Sequence, residues 1–104
     1  MNIKKFIDVK GFMPFHEGEA LTKWASFFSR NGPILEIGSY CGKSSLFLAK
    51  GAEKNNQYIF TVDHHRGSEE YQLNEEYFDA EIFDTSTNKI NSLPVLISNI
   101  NLYK

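Results

Sequence analysis

Ile34-Leu35-Glu36-Ile37-Gly38-Ser39-Tyr40-Cys41-Gly42-Lys43-Ser44 begins as a short apolar run and passes into a loop bounded by two glycines. The run Ile34–Gly38 reads as a buried strand. A helix is expected from about Lys43 to Lys54, with Leu46, Phe47 and Ala49 available for burial. After Asn55-Asn56 comes Tyr58-Ile59-Phe60-Thr61-Val62-Asp63, rich in β-branched and aromatic residues and again strand-like. Strand, helix and strand within about thirty residues is a βαβ unit, which implies parallel strands and an α/β fold.

Upstream, Leu21, Trp24, Ala25 and Phe28 fall at i, i+3, i+4 and i+7, the mark of one apolar helix face. Glu17 and Glu19 lie in the first turn of that helix, and Asn31-Gly32-Pro33 supplies its stop. Trp24, Phe27 and Phe28 are therefore assigned to the core. Residues 1–15 show no period, and Gly11 and Pro14 mark a loop or short extended arm. Downstream, 64–91 is long and acidic. No Lys or Arg occurs from Gly67 to Asn88, yet Glu69, Glu70, Glu75, Glu76, Asp79, Glu81 and Asp84 all fall there. This segment is expected to be a solvated loop or lid, with a short helix near Glu75 to Phe83. Ser92 then reads as an N-cap and Pro94 as an early helical residue. Leu93, Leu96, Ile97 and Ile100 give the final helix a second apolar face.

Composition narrows the function classes. With 104 residues, the chain holds one domain at most. The net charge of −2 leaves no basic field to attract nucleic acid or anionic lipid. A lone cysteine, Cys41, excludes an intrachain disulfide framework and suits a reducing compartment. No apolar run approaches the roughly 20 residues of a membrane span, and the basic start is interrupted by Asp8 and Lys10, unlike a secretory leader. A cytoplasmic location is expected, with no nucleic-acid or membrane partner.

The loop admits three nucleotide-binding readings, which spacing separates. A Walker A loop needs four residues between its glycines, and only Ser39, Tyr40 and Cys41 separate Gly38 from Gly42. A dinucleotide loop needs glycines where Tyr40 and Lys43 stand. Glu36 adds an electrostatic argument, because a carboxylate near the ligand would repel a pyrophosphate. It suits a ligand with a cationic amino group and a sulfonium.

Hydrophobic-hydrophobic-Glu36-x-Gly38-x-x-x-Gly42, followed by a second strand ending on Asp63, resembles the cofactor-binding half of a class I S-adenosylmethionine (SAM) methyltransferase. The resemblance implies a Rossmann-like fold with SAM as cofactor. It implies that the loop glycines let the backbone approach the methionine part of SAM and that Asp63 hydrogen-bonds the ribose hydroxyls. The residues it places at the cofactor are Glu36, Gly38, Ser39, Tyr40, Gly42, Ser44, Asp63 and His64. His64-His65-Arg66-Gly67-Ser68-Glu69-Glu70 further resembles a bacterial subgroup acting on small molecules, in which Phe15-His16-Glu17-Gly18-Glu19 would also border the cofactor. The implied partner is a small-molecule acceptor. That family's sheet has about seven strands, of which the first two are read here, so the expectation is a truncated fold. Its parts would be an arm (1–15), a helix and βαβ unit (16–63), an acidic loop (64–91) and a closing helix (92–104).

Blander roles stand beside these. Asp63 could cap the loop after its strand, and Ser44 and Ser45 are good helix-start residues. His64 and His65 are candidate general bases, since an unperturbed pKa of about 6.5 suits proton abstraction. No metal is expected, because adjacent histidines usually need a further ligand from a distant segment. The functional classes are a methyltransferase, a non-catalytic SAM- or nucleoside-binding remnant, and a binding module using the core as scaffold. The 104-residue chain by itself is expected to lack activity and to form a homo-oligomer through its open sheet edge.

Overall fold

The computed structural model describes residues 2–103. Two parallel strands, β1 (Ile34–Ile37) and β2 (Ile59–Val62), pair in the register Ile34 to Ile59 and Ile37 to Val62. The pairing extends past the strand ends, with the Gly38 N–H donating to the Val62 carbonyl at 2.7 Å. Helix α2 (Lys43–Glu53) joins the strands and α1 (Phe15–Phe28) precedes them, so the βαβ reading and the α/β class hold.

The two helices cross through small residues. The buried positions of α1 are Gly18, Thr22 and Ala25, not the larger apolar side chains beside them. A Cβ on Gly18 would lie 2.5 Å from the Phe47 ring, and one on Gly51 would run into the Thr22 carbonyl. The Thr22 hydroxyl donates to the Phe47 carbonyl at 2.9 Å, and the Asn55 amide ties α2 to the Ser26 carbonyl and the Ser29 hydroxyl. The expectation that Trp24, Phe27 and Phe28 form core is corrected: Trp24 is 63% exposed and both phenylalanines are also open to solvent. Close helix packing needs thin residues at the crossing, and that stripe turns the aromatic side chains outward.

The arm contributes more than a loop. A 3-10 turn at Lys4–Asp8 places Phe6, which is buried with Val9, Leu46 and Phe47 in one core cluster. Phe6 meets Phe47 edge-on with ring centres 5.2 Å apart.

The acidic segment is also more ordered than expected. In place of a helix near Glu75 to Phe83, two short 3-10 turns (Glu69–Tyr71 and Ala80–Ile82) lead into an antiparallel hairpin. Its strands are β3 (Phe83–Asp84) and β4 (Lys89–Ile90). Asp84 organises the turn by accepting from the Ser86 N–H and the Ser86 and Thr87 hydroxyls. Ile82 and Ile90 are buried with Cys41, so the hairpin packs under the glycine loop. The closing helix α3 (Leu93–Tyr103) buries Leu96, while Leu93, Ile97 and Ile100 of its expected face remain exposed. The sheet has one bare face: Leu35 and Ile37 are 64% and 76% exposed, and Tyr58, Phe60 and Val62 lie open beside them.

Candidate functional site

At the carboxyl ends of β1 and β2 the chain turns twice with left-handed backbone. Gly38 has φ +97° with open space where a Cβ would stand, so its backbone can be approached from solvent. Gly42 has φ +94° as the residue before α2, and a Cβ there would press to 2.8 Å from Leu96. The first glycine thus faces open space, and the second is required by the fold. Tyr40, between them, takes φ +47° without being glycine.

Asp63 holds this loop in shape. One carboxylate oxygen accepts from the Ser39 and Tyr40 N–H groups, at 2.8 and 2.9 Å, and the other from the His65 N–H at 2.9 Å. Partial burial works against its ionisation, but the N–H groups of His65, Tyr40 and Ser39 outweigh this and hold the carboxyl below its usual range. The loop-capping role is therefore present in the structure. About four lone-pair directions exist on a carboxylate, so one stays free for a ligand hydroxyl beside the three amides.

Glu36 is placed differently from its expected position. Its side chain turns toward α2, where Ser44 donates to it at 2.5 Å, Thr61 at 2.7 Å, and Ser45 also donates. Three hydroxyls thus satisfy a carboxylate at the start of a helix, where the helix dipole also favours it. Glu36 underpins the loop without lining the space in front of it.

That space is an open hollow of about 440 Å³. Of the residues expected at the cofactor, Gly38, Ser39, Tyr40, Ser44, Asp63 and His64 line it, and Glu36 and Gly42 do not. The helix entry Phe15–Glu19 does not line it either. Gly11, Phe12 and Met13 from the arm, and Gly67, Ser68 and Tyr71 from the acidic segment, do so instead. Phe12 stacks on both Tyr40 and Tyr71, with ring centres 5.7 and 5.8 Å away. No sequence period marked Phe12; the one available signal was an aromatic residue between Gly11 and Pro14 in an arm near the loop.

The two histidines separate. His64 borders the hollow, and its Nδ1 accepts from the Arg66 N–H at 2.9 Å, which leaves the proton of the neutral ring on Nε2. His65 takes φ +66°, and its Nδ1 is buried without a hydrogen-bond partner among the described residues. His65 does not line the hollow. Among the described residues no three of His, Cys, Asp and Glu converge as a metal site. Cys41 is fully buried, and burial pushes its thiol up to about 11, so it is chemically quiet.

On the far side of Tyr40, its hydroxyl donates to Asp79, which also pairs with Lys10 at 3.3 Å. Burial first, and then the Asp79 charge, raise the Tyr40 phenol above its ordinary value. Asp79 thus joins the acidic segment to both the loop and the arm. No helix among the described residues is long and apolar enough to cross a membrane.

A family profile described as a methyltransferase domain matches residues 35–99. The match runs from β1 through the glycine loop, β2 and the hairpin into α3, which is well over half of the chain. With a Rossmann-like strand, glycine loop, helix and acid-terminated strand inside the matched region, the chain belongs to the methyltransferase domain family.

Proposed function

We propose that the hollow at the carboxyl ends of β1 and β2 binds SAM, and that the domain serves methyl transfer to a small-molecule acceptor. The observation that carries this is Gly38: its left-handed backbone has open space before it, beside the ionised Asp63. Asp63 puts one carboxylate in the hollow and Lys43 one ammonium, a balance that suits the zwitterionic methionine part of SAM better than a pyrophosphate. The volume, about 440 Å³, lies within the usual range for small-ligand sites. When bound, SAM supplies an electrophilic methyl group on a sulfonium.

The chain's own contributions are positional. The Gly38–Tyr40 backbone would hold the amino-acid part, and the free lone pair of Asp63 would take one ribose hydroxyl. Phe12 and Tyr71 offer flat surfaces that shield the ligand from water. Calorimetric titration of the 104-residue chain with S-adenosylhomocysteine tests the reading. Asp63→Ala removes a charge-assisted hydrogen bond worth roughly 1.5–3 kcal/mol, so affinity should fall at least about tenfold. Unchanged affinity in that variant would refute the assignment.

A further inference from the structure

A second hollow, of about 540 Å³, lies across Phe12 and Tyr40 from the first. Four aromatic residues, Phe12, Tyr40, Tyr77 and Phe78, contribute to its lining, with Ile7 beside them and Lys10, Lys43 and Asp79 as the charged groups. Gly11, Phe12, Tyr40 and Lys43 line both hollows, and the stacked pair Phe12–Tyr40 is the partition. The polar groups at its acidic end are already matched: Asp79 takes the Tyr40 hydroxyl and the Lys10 ammonium, and Lys10 also reaches Glu81 at 3.4 Å.

Lys43 is different. Its ammonium donates to the Ile7 carbonyl at 3.2 Å, and among the described residues it forms no ion pair with a carboxylate. An ammonium has three donors, so two remain at the seam between the hollows. Aromatic walls with one uncompensated cation select a flat ring bearing one anionic oxygen, and the cation favours the ionised form of that oxygen.

We propose that this second hollow binds a small aromatic hydroxy compound, ring against Phe12 and Tyr77, with its oxygen held by Lys43 at the seam. This deepens the methyltransferase reading and rests on it for one point only, that the bound compound is the methyl acceptor. The site itself stands on its own geometry.

The probe is 4-nitrophenol, whose ionised form absorbs visible light and so reports its own protonation. Added to the 104-residue chain, it should titrate at lower pH than the free compound. Lys43→Met should abolish that shift. Tyr77→Ala should weaken probe binding about tenfold, the loss of one aromatic contact and its buried area, while S-adenosylhomocysteine affinity stays within about threefold. Amide resonances of Val9, Lys10 and Tyr77 should move on titration, which locates the probe even where a variant folds poorly. An unshifted ionisation, equal binding in Tyr77→Ala, or shifts confined to Leu35 and Phe60 on the bare sheet face would each overturn the proposal. If the probe behaves as expected and S-adenosylhomocysteine fails to bind, the cofactor reading falls and this site remains. The reverse pattern removes this site and leaves the cofactor reading intact.

Discussion

The two faces of the β1–β2 sheet differ in almost every respect. Toward the helices, Ile34, Glu36, Ile59 and Thr61 are partly covered, and Glu36 is tied to α2 and β2 by three hydroxyls. Toward solvent, Leu35, Ile37, Tyr58, Phe60 and Val62 form an apolar surface with nothing over it. Alternation along each strand produces this split, because successive side chains point to opposite faces. The covered face carries the stability and positions the loop. The bare face contributes neither, so substitutions on the two faces should have opposite signatures.

The largest effect is expected on the covered side. Phe47 is fully buried and touches Phe6, Phe15 and the Gly18 backbone. Phe47→Ala should cost about 3–5 kcal/mol, much of the stability of a small domain, and a thermal melt should lose its cooperative transition. A retained transition within a few degrees would show that the helix crossing is not the core. Gly51→Ala sharpens the same point: alanine normally stabilises a helix interior by about 1 kcal/mol over glycine, yet here it should destabilise. The added Cβ would enter the Thr22 carbonyl and the Ala25 side chain.

On the bare side the sign reverses. The triple variant Leu35→Thr, Ile37→Thr, Phe60→Thr should change monomer stability by well under the cost of Phe47→Ala, while lowering self-association. Exposed contiguous apolar patches drive association, and β1 adds a second edge with no strand paired to it among the described residues. Sedimentation velocity should show the unsubstituted chain as larger than a monomer and the variant shifted toward monomer. A monodisperse unsubstituted monomer would refute the association expected for this face.

How much of this was legible in sequence follows the same division. The βαβ unit and its loop were readable because strand composition, glycine spacing and a terminal acid lie within one local window. The α1 face was read correctly at Leu21 and Ala25 and misread at Trp24 and Phe28, because periodicity selects large apolar residues. The crossing is made through Gly18, Thr22 and Ala25, which carry little hydropathy. The hairpin escaped because two-residue strands show no alternation. Its only local sign was the turn-forming run Asp84-Thr85-Ser86-Thr87-Asn88, in which Asn88 takes left-handed backbone (φ +58°) in the structure. Phe6, Val9 and Phe12 could not be placed, since an arm without a period gives no clue to what it packs against. Asp63 and the loop glycines stand out in the sequence by their spacing; that Asp63 grips the loop backbone depends on tertiary geometry.

Smaller effects probe the loop. Asp63 has a depressed folded pKa, so its contribution is present above the ordinary carboxylate value and is lost as pH falls through the lower folded value. Protection of the Ser39 and Tyr40 amides, taken relative to the intrinsic exchange rate at each pH, should therefore fall once the pH drops below the ordinary carboxylate range, and in Asp63→Asn this acid-induced change should vanish. Persistent protection at acid pH in the unsubstituted chain would contradict the hydrogen bonds described. The smallest effect is expected at Cys41. With no exposure and a thiol pushed up to about 11, it should resist alkylation at neutral pH until the chain unfolds. Rapid labelling of native protein would show the loop to be open.

The central claim is that the glycine loop and Asp63 form one ligand site at the carboxyl ends of the strands. Its most direct test is a titration of the isotope-labelled chain with S-adenosylhomocysteine, followed through the backbone amides, with ATP as competitor. Saturable shifts should concentrate at Gly38–Gly42 and at Asp63–His65, leave Leu35 and Phe60 unmoved, and be displaced weakly if at all by ATP. Shifts centred on the bare sheet face, or displacement by ATP at lower concentration than S-adenosylhomocysteine requires, would contradict the account.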